Sequence, residues 1–138
     1  MKNLLMLGAF ILVAQVTFGQ AAAATNPPAT DYAVAAVDNQ AHDFGKIKQG
    51  VPVTHEFSFT NKGKVPMIIT NAQPSCGCTV PSWTKEPIPP GGTGYVKATF
   101  NAAAPGVFEK SITVMANVET GVIVLRIKGE VASNPPNN

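Results

Sequence analysis

The two cysteines of this 138-residue chain, Cys76 and Cys78, are separated by one glycine and are the only cysteines present. Because residues i and i+2 of an extended segment face the same side, the two sulfur atoms are expected to lie close together. A disulfide is then geometrically accessible, since it needs Cα atoms about 4.4–6.8 Å apart. A closed loop of about three residues would stabilise the fold by only about 1.6 kcal/mol, so stapling is a weak reason for this spacing.

Three interpretations of this pair stay open at the level of sequence. The first is structural: a short disulfide or two packed thiols at a strand end, covered by Pro81 and Trp83. The second is redox chemistry, which needs a lowered thiol pKa, and Lys85 is the nearest cation in sequence. The third is binding of a soft metal such as Cu(I), for which paired thiolates are suitable ligands.

Additional ligands for a metal would have to come from His42, His55, and Met67 or Met115. Their spacing from the cysteines matches no metal motif, and zinc sites need four ligands at recognisable spacing. His55 lies on the apolar side of an alternating segment, which favours a packed histidine over a ligand. The sequence therefore predicts no metal site and no cofactor.

Catalytic motifs are also missing from the sequence. No serine stands in a G-x-S-x-G context, and the glycines at 91–94 lack the following helix that a phosphate site uses. His42 and Asp43 are adjacent, and adjacent strand residues point to opposite faces, so they do not form a dyad. The chain is predicted not to be an enzyme.

The elements that position these residues are strands, because apolar and polar side chains alternate along much of the chain. No segment has a convincing helical period, and a parallel sheet would need crossover helices. Asn61 and Gly63 are expected to form a turn, because both tolerate positive φ. About seven short strands between turn signals predict an antiparallel β-sandwich. The segments are 32–37, 42–44, 53–61, 67–70, 95–100, 108–116 and 123–128.

The N-terminus has the form of an export signal, with Lys2, an apolar stretch over 4–13 and small residues at Gly19 and at 21–24. The apolar stretch is shorter than the roughly 20 residues that cross a bilayer, so no stable membrane insertion is expected. We predict a signal peptide at 1–24, a linker at 25–30, a sandwich at 31–132 and a disordered tail at 133–138. The mature chain would then be secreted or periplasmic.

Charge excludes one class of partner, because a net charge of +2 without a dense basic cluster does not suit nucleic-acid binding. The remaining hypothesis is a non-catalytic interaction module whose protein partner, of unknown identity, adds to an exposed edge strand. The alternative is a periplasmic thiol-redox or Cu(I)-binding protein that uses Cys76 and Cys78.

Five motifs occur in an order that resembles the secreted domain-of-unknown-function family 1573 (DUF1573), over about residues 41–131. The most specific is the Ser-Cys-Gly-Cys-Thr core. This resemblance implies an immunoglobulin-like sandwich, related to modules of the bacterial chaperone and cilia-associated types. It implies no function, because the family label assigns none. The motifs are His42–Gly45, Phe57–Gly63, Pro66–Ile69, Ser75–Pro81 and Ile88–Gly91.

Overall fold

The computed structural model of the chain describes residues 31–133. Within this range every regular element is a strand, and no helix is long and apolar enough to cross a membrane. The predicted signal peptide and linker, and residues 134–138 of the predicted tail, lie outside the described residues. The strands are β1 (Ala35–Val37), β2 (Ala41–Lys48), β3 (Val53–Asn61), β4 (Ile69–Pro74), β5 (Thr79–Trp83), β6 (Thr93–Phe100), β7 (Gly106–Ala116) and β8 (Val122–Ala132).

The strands form two sheets of four strands each. Sheet one has the order β1-β3-β6-β5, and sheet two has the order β2-β8-β7-β4. The long central pairs, β3 with β6 and β7 with β8, are antiparallel and continuous in register. The predicted fold class, an immunoglobulin-like β-sandwich, is confirmed.

The core between the sheets is built by alternation. Phe57 and Phe59 of β3 are fully buried, while Glu56 and Ser58 between them are exposed. Burying such side chains contributes about 1.5–3 kcal/mol each, which is why period-two patterning selects the two-layer arrangement. The three remaining central strands, β6, β7 and β8, follow the same rule. Their inward side chains are Val96, Ala98, Phe100, Phe108, Ile112, Val114, Ile123, Leu125 and Ile127.

The structure differs from the predicted strands in several places. Strand β1 begins at Ala35 instead of residue 32, β6 and β7 each begin two residues earlier than predicted, and β8 runs to Ala132 instead of residue 128. Strand β5 was not predicted, β2 extends over eight residues instead of three, and β4 begins at Ile69 and ends at Pro74. Strand β2 also pairs with β8 in parallel, although no crossover helix exists in the described chain. The parallel pair forms because β2 and β8 are far apart in sequence, so the intervening strands make the connection.

The loop after β3 depends on a buried asparagine rather than on positive φ. Neither Asn61 nor Gly63 has a positive φ. The fully buried Asn61 side chain donates to the carbonyl oxygens of Val65 and Ile88 at 2.8 and 3.0 Å, and its Oδ1 accepts from the Gly63 N–H at 3.0 Å. Gly63 is needed because a Cβ there would lie 2.8 Å from the Val34 nitrogen. The amide of Asn61 therefore fixes this end of the sandwich.

Candidate functional site

The Cys-Gly-Cys segment lies where the chain crosses from one sheet to the other. Strand β4 ends in sheet two at Pro74, and β5 begins in sheet one at Thr79. Within the crossing turn, Cys76 and Cys78 are bonded as a disulfide, with their Cα atoms 5.4 Å apart. Both cysteines are half-buried, and Gly77 between them is exposed. The disulfide is therefore at the surface of one end of the sandwich.

Hydrogen bonds hold this turn against both sheets. The Ser75 N–H donates to the Ser111 carbonyl on β7 at 2.9 Å, and the Asn101 N–H donates to the Cys78 carbonyl at 3.0 Å. The hydroxyl of the buried Thr79 lies 4.0 Å from the Cys76 sulfur, within hydrogen-bonding distance for sulfur. The backbone of the turn is thus fixed independently of the S–S bond.

A surface cleft of about 220 Å³ opens beside Cys78. Its apolar wall is formed by Phe100 and Phe108, whose rings stack with centroids 4.0 Å apart. Lys110 is the only cationic residue that lines the described cleft. The adjoining loop contains Ala102, the one non-glycine residue with positive φ (53°) in the described range. Such backbone strain is often found at functional sites. The cleft is therefore lined by two aromatic side chains, a lysine and one cysteine of the disulfide.

Lys110 is the site residue that sequence reasoning missed. It lies 32 positions beyond Cys78, so sequence proximity could not connect the two. The sequence nevertheless indicates its position, because Lys110 is two residues from both Phe108 and Ile112 and so lies on the same inward face of the strand. A half-buried lysine on the apolar face of a strand indicates an opening in the core, since lysine is almost never buried without a partner.

Trp83 and Lys85 have different roles from those predicted. Trp83 lies at the far end of β5, four residues beyond Thr79, which is about 13 Å of extended chain. Its ring packs on the core, and the Lys85 Nζ lies 3.1 Å from the ring centroid. Lys85 therefore makes a cation–π contact with Trp83 instead of facing the cysteines. The prediction that Trp83 covers the cysteines is wrong, and so is the prediction that Lys85 is the cation beside them. Pro81, the other predicted cover, is the third residue of β5.

The four predicted additional metal ligands do not converge on one site. The rings of His42 and His55 stack face to face, with centroids 3.6 Å apart. Met67 is fully buried in the core, whereas Met115 is exposed on the outer face of sheet two. Among residues 31–133, no group of three or more histidine, cysteine, aspartate and glutamate side chains could hold a metal ion.

The stacked histidines make stability depend on pH. Burial, and then the proximity of His42, lowers the pKa of His55 below its ordinary value of 6.5, although Glu56 opposes the shift. Protonation is therefore disfavoured in the folded state. Stability is fully present above about pH 6.5 and is lost as the pH falls from there through the folded-state pKa. Denaturant unfolding at pH 7.5 and 5.5 should show this loss, and His55→Gln should reduce it; an equal loss in both proteins would contradict the assignment.

Removing the disulfide should leave the fold intact. The closed loop contains so few residues that the chain-entropy contribution is only about 1.6 kcal/mol. The core described above contains neither sulfur as a fully buried group. The variant Cys76→Ala/Cys78→Ala should therefore keep the β-type circular-dichroism spectrum and lose at most that amount in urea unfolding. An unfolded spectrum at neutral pH would show instead that the disulfide is structurally essential.

The outer faces of the two sheets differ in chemistry. On sheet one the central strands carry polar pairs: Thr54 and Thr99 hydroxyls are 2.8 Å apart, and Lys97 Nζ lies 3.3 Å from a Glu56 carboxylate oxygen. On sheet two the end around the β7–β8 hairpin is apolar. There the exposed Met115 pairs with the exposed Val122, and Val124 follows on the same face. We call the three residues Met115, Val122 and Val124 the apolar patch.

The apolar patch continues along sheet two into charged residues. Glu109 on β7 is opposite Lys128 on β8, and Lys128 Nζ lies 3.7 Å from an Asp43 carboxylate oxygen on β2. Arg126 and Glu130 extend β8 on the same face in alternate positions. Exposed ion pairs contribute little to stability, so this row has no evident structural purpose. The outer face of sheet two is thus divided into an apolar half and a charged half of mixed sign.

A family comparison covers most of the chain. Residues 35–131 match the family described as "Protein of unknown function (DUF1573)". The motifs quoted from the sequence all lie inside this range or overlap it. No curated protein matches the chain.

Solved structures share the fold at low identity. A protein of unknown function from Porphyromonas gingivalis W83 has a TM-score of 0.66 and 16% identity, covering 75% of this chain and 49% of its own. The ASH/PapD-like domain 7 of human CEP192 has a TM-score of 0.58 and 13% identity, covering 92% and 100%. The secreted serine protease VesC from Vibrio cholerae has a TM-score of 0.57 and 15% identity, covering 74% and 24%.

These likenesses show the fold alone. The chain spans about half of the Porphyromonas protein and about a quarter of VesC, so the similarity to the protease is confined to part of that enzyme. The similarity to the CEP192 domain covers that whole domain, which is PapD-like. What this chain does must be argued from its own residues.

Proposed function

Because the chain belongs to the DUF1573 family, whose description assigns no activity, we propose its function from its own surface: an exported, non-catalytic immunoglobulin-like module that binds a partner protein. The single observation that carries this proposal is the apolar patch of Met115, Val122 and Val124 on the outer face of sheet two. Contiguous exposed apolar surface with a polar rim is typical of protein–protein interfaces.

The described edges favour this face over addition of a partner strand. Strand β1 has three residues, and β2 carries a bulge between Asp43 and Lys46 that includes Gly45 at φ 65°. Pro74 ends β4, and Pro81, which has no N–H, lies in the middle of β5. Short strands, bulges and prolines are the features that prevent edge-to-edge pairing. We therefore place the partner on the face and not on an edge.

The chemistry of the face defines the kind of partner. A docking protein would bury the apolar patch beneath an apolar surface of its own. Its rim would have to offer charges of both signs to the row formed by Glu109, Lys128 and Asp43. Rim charges contribute mainly to association rate and specificity, so the apolar contact would supply most of the affinity. The proposed partner is thus a folded protein, not an extended strand or a nucleic acid.

Two further parts of the proposal have separate support. Export rests on the signal-like N-terminal sequence, with Lys2 preceding an apolar stretch at 4–13. The absence of catalysis is supported by the histidines of the described residues 31–133, which stack on each other. The Cu(I) alternative lacks support because Cys76 and Cys78 are bonded to each other, and a disulfide offers no thiolate ligand.

Co-purification from cells of the native host tests the proposal. A tagged full-length chain is compared with Val124→Asp, which places a charge in the apolar patch, and with Ser58→Asp on the polar face of sheet one. We expect one protein to be enriched with the unsubstituted chain and with Ser58→Asp, and to be depleted with Val124→Asp. Equal recovery with both variants would rule out the apolar patch as the binding surface.

A further inference from the structure

The most exposed of the large hydrophobic side chains in the described range lies beside the disulfide. Val107, 85% exposed, lines the cleft that Cys78 also lines. It does not belong to the apolar patch on sheet two. The cleft beside Cys78 therefore presents an apolar side chain that the fold itself leaves without contacts over most of its surface.

We propose that the Cys76–Cys78 disulfide exchanges with thiols of an extended, apolar polypeptide segment that lies in the cleft beside Cys78. This site is independent of the partner surface proposed on sheet two. Val107 would contact an apolar side chain next to the partner's cysteine, while Phe100 and Phe108 form the cleft wall. The proposal thus names the chemical class of the substrate: a cysteine with apolar neighbours in an unfolded or flexible segment.

The local structure allows the bond to open without loss of the fold. The Cys78 carbonyl and the Ser75 N–H are already held by hydrogen bonds to Asn101 and Ser111. A Cβ built on Gly77 would meet no atom within 4 Å, so the turn has room to relax when the sulfurs separate. A disulfide that closes so short a loop contributes little to the stability of the fold through chain entropy, so its opening costs the fold little.

The first chemical step is attack by the partner's thiolate on the Cys78 sulfur. The S–S bond to Cys76 breaks, a new S–S bond joins the partner to Cys78, and Cys76 leaves as a thiolate with the electron pair. Lys110, lining the same cleft, attracts the incoming thiolate. The Thr79 hydroxyl, 4.0 Å from the Cys76 sulfur, donates to the leaving thiolate.

The second step completes the exchange. A second thiolate of the partner attacks the partner sulfur of the mixed disulfide, forms a partner disulfide and releases Cys78 as a thiolate. In total, two partner thiols lose two electrons and two protons, and the Cys76–Cys78 disulfide gains them as two thiols. The protein acts as a stoichiometric oxidant, so each molecule oxidises one pair of partner thiols.

The test uses two matched single-cysteine variants of the full chain. Cys76→Ser leaves Cys78, and Cys78→Ser leaves Cys76; each remaining thiol is converted to a mixed disulfide with thionitrobenzoate. Release of the chromophore then measures attack by synthetic peptides that carry one cysteine flanked by valine and leucine, or by serine and asparagine. At Cys78 we expect the apolar peptide to react about tenfold faster, the effect of burying about one valine side chain. At Cys76 we expect no preference.

Four further variants, each combined with Cys76→Ser, assign the effect to named side chains. Val107→Asp should remove the preference for the apolar peptide, and Val124→Asp, on the distant apolar patch, should keep it. Lys110→Gln should slow both peptides severalfold, because the cation attracts the attacking thiolate. Lys97→Gln, on the polar face of sheet one, should not. Val107 is so exposed that its substitution is not expected to disturb folding.

A second measurement does not depend on the single-cysteine variants. The unsubstituted oxidised protein is mixed with the apolar peptide, quenched with acid and examined by intact mass and peptide mapping, which should place the mixed disulfide on Cys78. Equal rates for the two peptides at Cys78, the same preference at both cysteines, or an adduct on Cys76 alone would overturn the proposal. None of these outcomes affects binding at the apolar patch, so the two proposals fail separately.

Discussion

Replacing Asn61 by alanine is expected to lower the free energy of unfolding by about 3 kcal/mol, although the change removes only a small polar group. The Asn61 side chain is fully buried and makes three hydrogen bonds, two to the carbonyls of Val65 and Ile88 and one from the Gly63 N–H. In the variant the Val65 carbonyl and the Gly63 N–H lose this partner, whereas the Ile88 carbonyl keeps the N–H of Met67 at 2.8 Å. An unsatisfied buried polar group costs about 1–3 kcal/mol, so the sum is large.

Urea unfolding followed by circular dichroism measures this effect. Asn101→Ala is the matched control, because the Asn101 Oδ1 also accepts from the N–H two residues ahead, at 3.1 Å from the Ala103 nitrogen, but at an exposed position. We expect the control to lose no more than about 1 kcal/mol, the net value of one exposed hydrogen bond. Similar losses in the two variants would mean that the Asn61 network does not hold the loop.

Substituting lysine for both Met115 and Val124 is expected to weaken binding of the partner protein at least about a hundredfold. Each change places a charged group where the proposal buries an apolar one, and loss of a hot-spot side chain costs about 2 kcal/mol or more. Both side chains are exposed in the free domain, so the stability of the fold should change by less than about 0.5 kcal/mol. Calorimetric titration of the purified partner measures the affinity.

The control for this pair carries the same charge change on the opposite face. Thr54→Lys/Ser58→Lys adds two lysines to the outer face of sheet one, where Thr54 is opposite Thr99, Glu56 is opposite Lys97 and Ser58 is opposite the exposed Tyr95. Its affinity for the partner should stay within about threefold of the unsubstituted value, because the charge lies on the far side of the sandwich, more than a Debye length away. An equal loss in both variants would show a nonspecific charge effect in place of a contact.

The strands could be predicted from the sequence wherever the alternation of apolar and polar residues was clear within a single strand. The segment 53–61 was predicted with the bounds that β3 has, because Phe57 and Phe59 alternate with Glu56 and Ser58 and one face must be buried. The Gly- and Pro-rich breaks before β6 and β7 were also sufficient to separate those strands. Local alternation therefore predicts the two-layer class without knowledge of any pairing.

Features that depend on distant neighbours could not be predicted in this way. Strand β5 was missed because Pro81 in a short segment argues against a central strand, and its edge position is a property of the whole sheet. The parallel pairing of β2 with β8 joins segments about eighty residues apart, for which no local signal exists. Both errors therefore concern which strands become neighbours, not which residues are extended.

At the candidate site, too, local features could be predicted and long-range ones could not. The closeness of Cys76 and Cys78 followed from their spacing. The identity of the nearby cation did not, because Lys85 contacts the ring of Trp83 and the lysine that lines the cleft, Lys110, belongs to β7. The outward position of Val124 followed from the sequence, because it shares a face with Arg126 and Lys128 in the alternation. Its grouping with Met115 did not, because that depends on the register of β7 with β8.

Site-specific photo-crosslinking in the native host tests the central claim most directly. A photoreactive amino acid is placed at position 124, in the apolar patch, or at position 58, on the polar face of sheet one, and adducts are identified by mass spectrometry after irradiation. We expect one partner protein to be linked from position 124 and not from position 58. The same adduct from position 58 alone, or from both positions equally, would contradict binding through the outer face of sheet two.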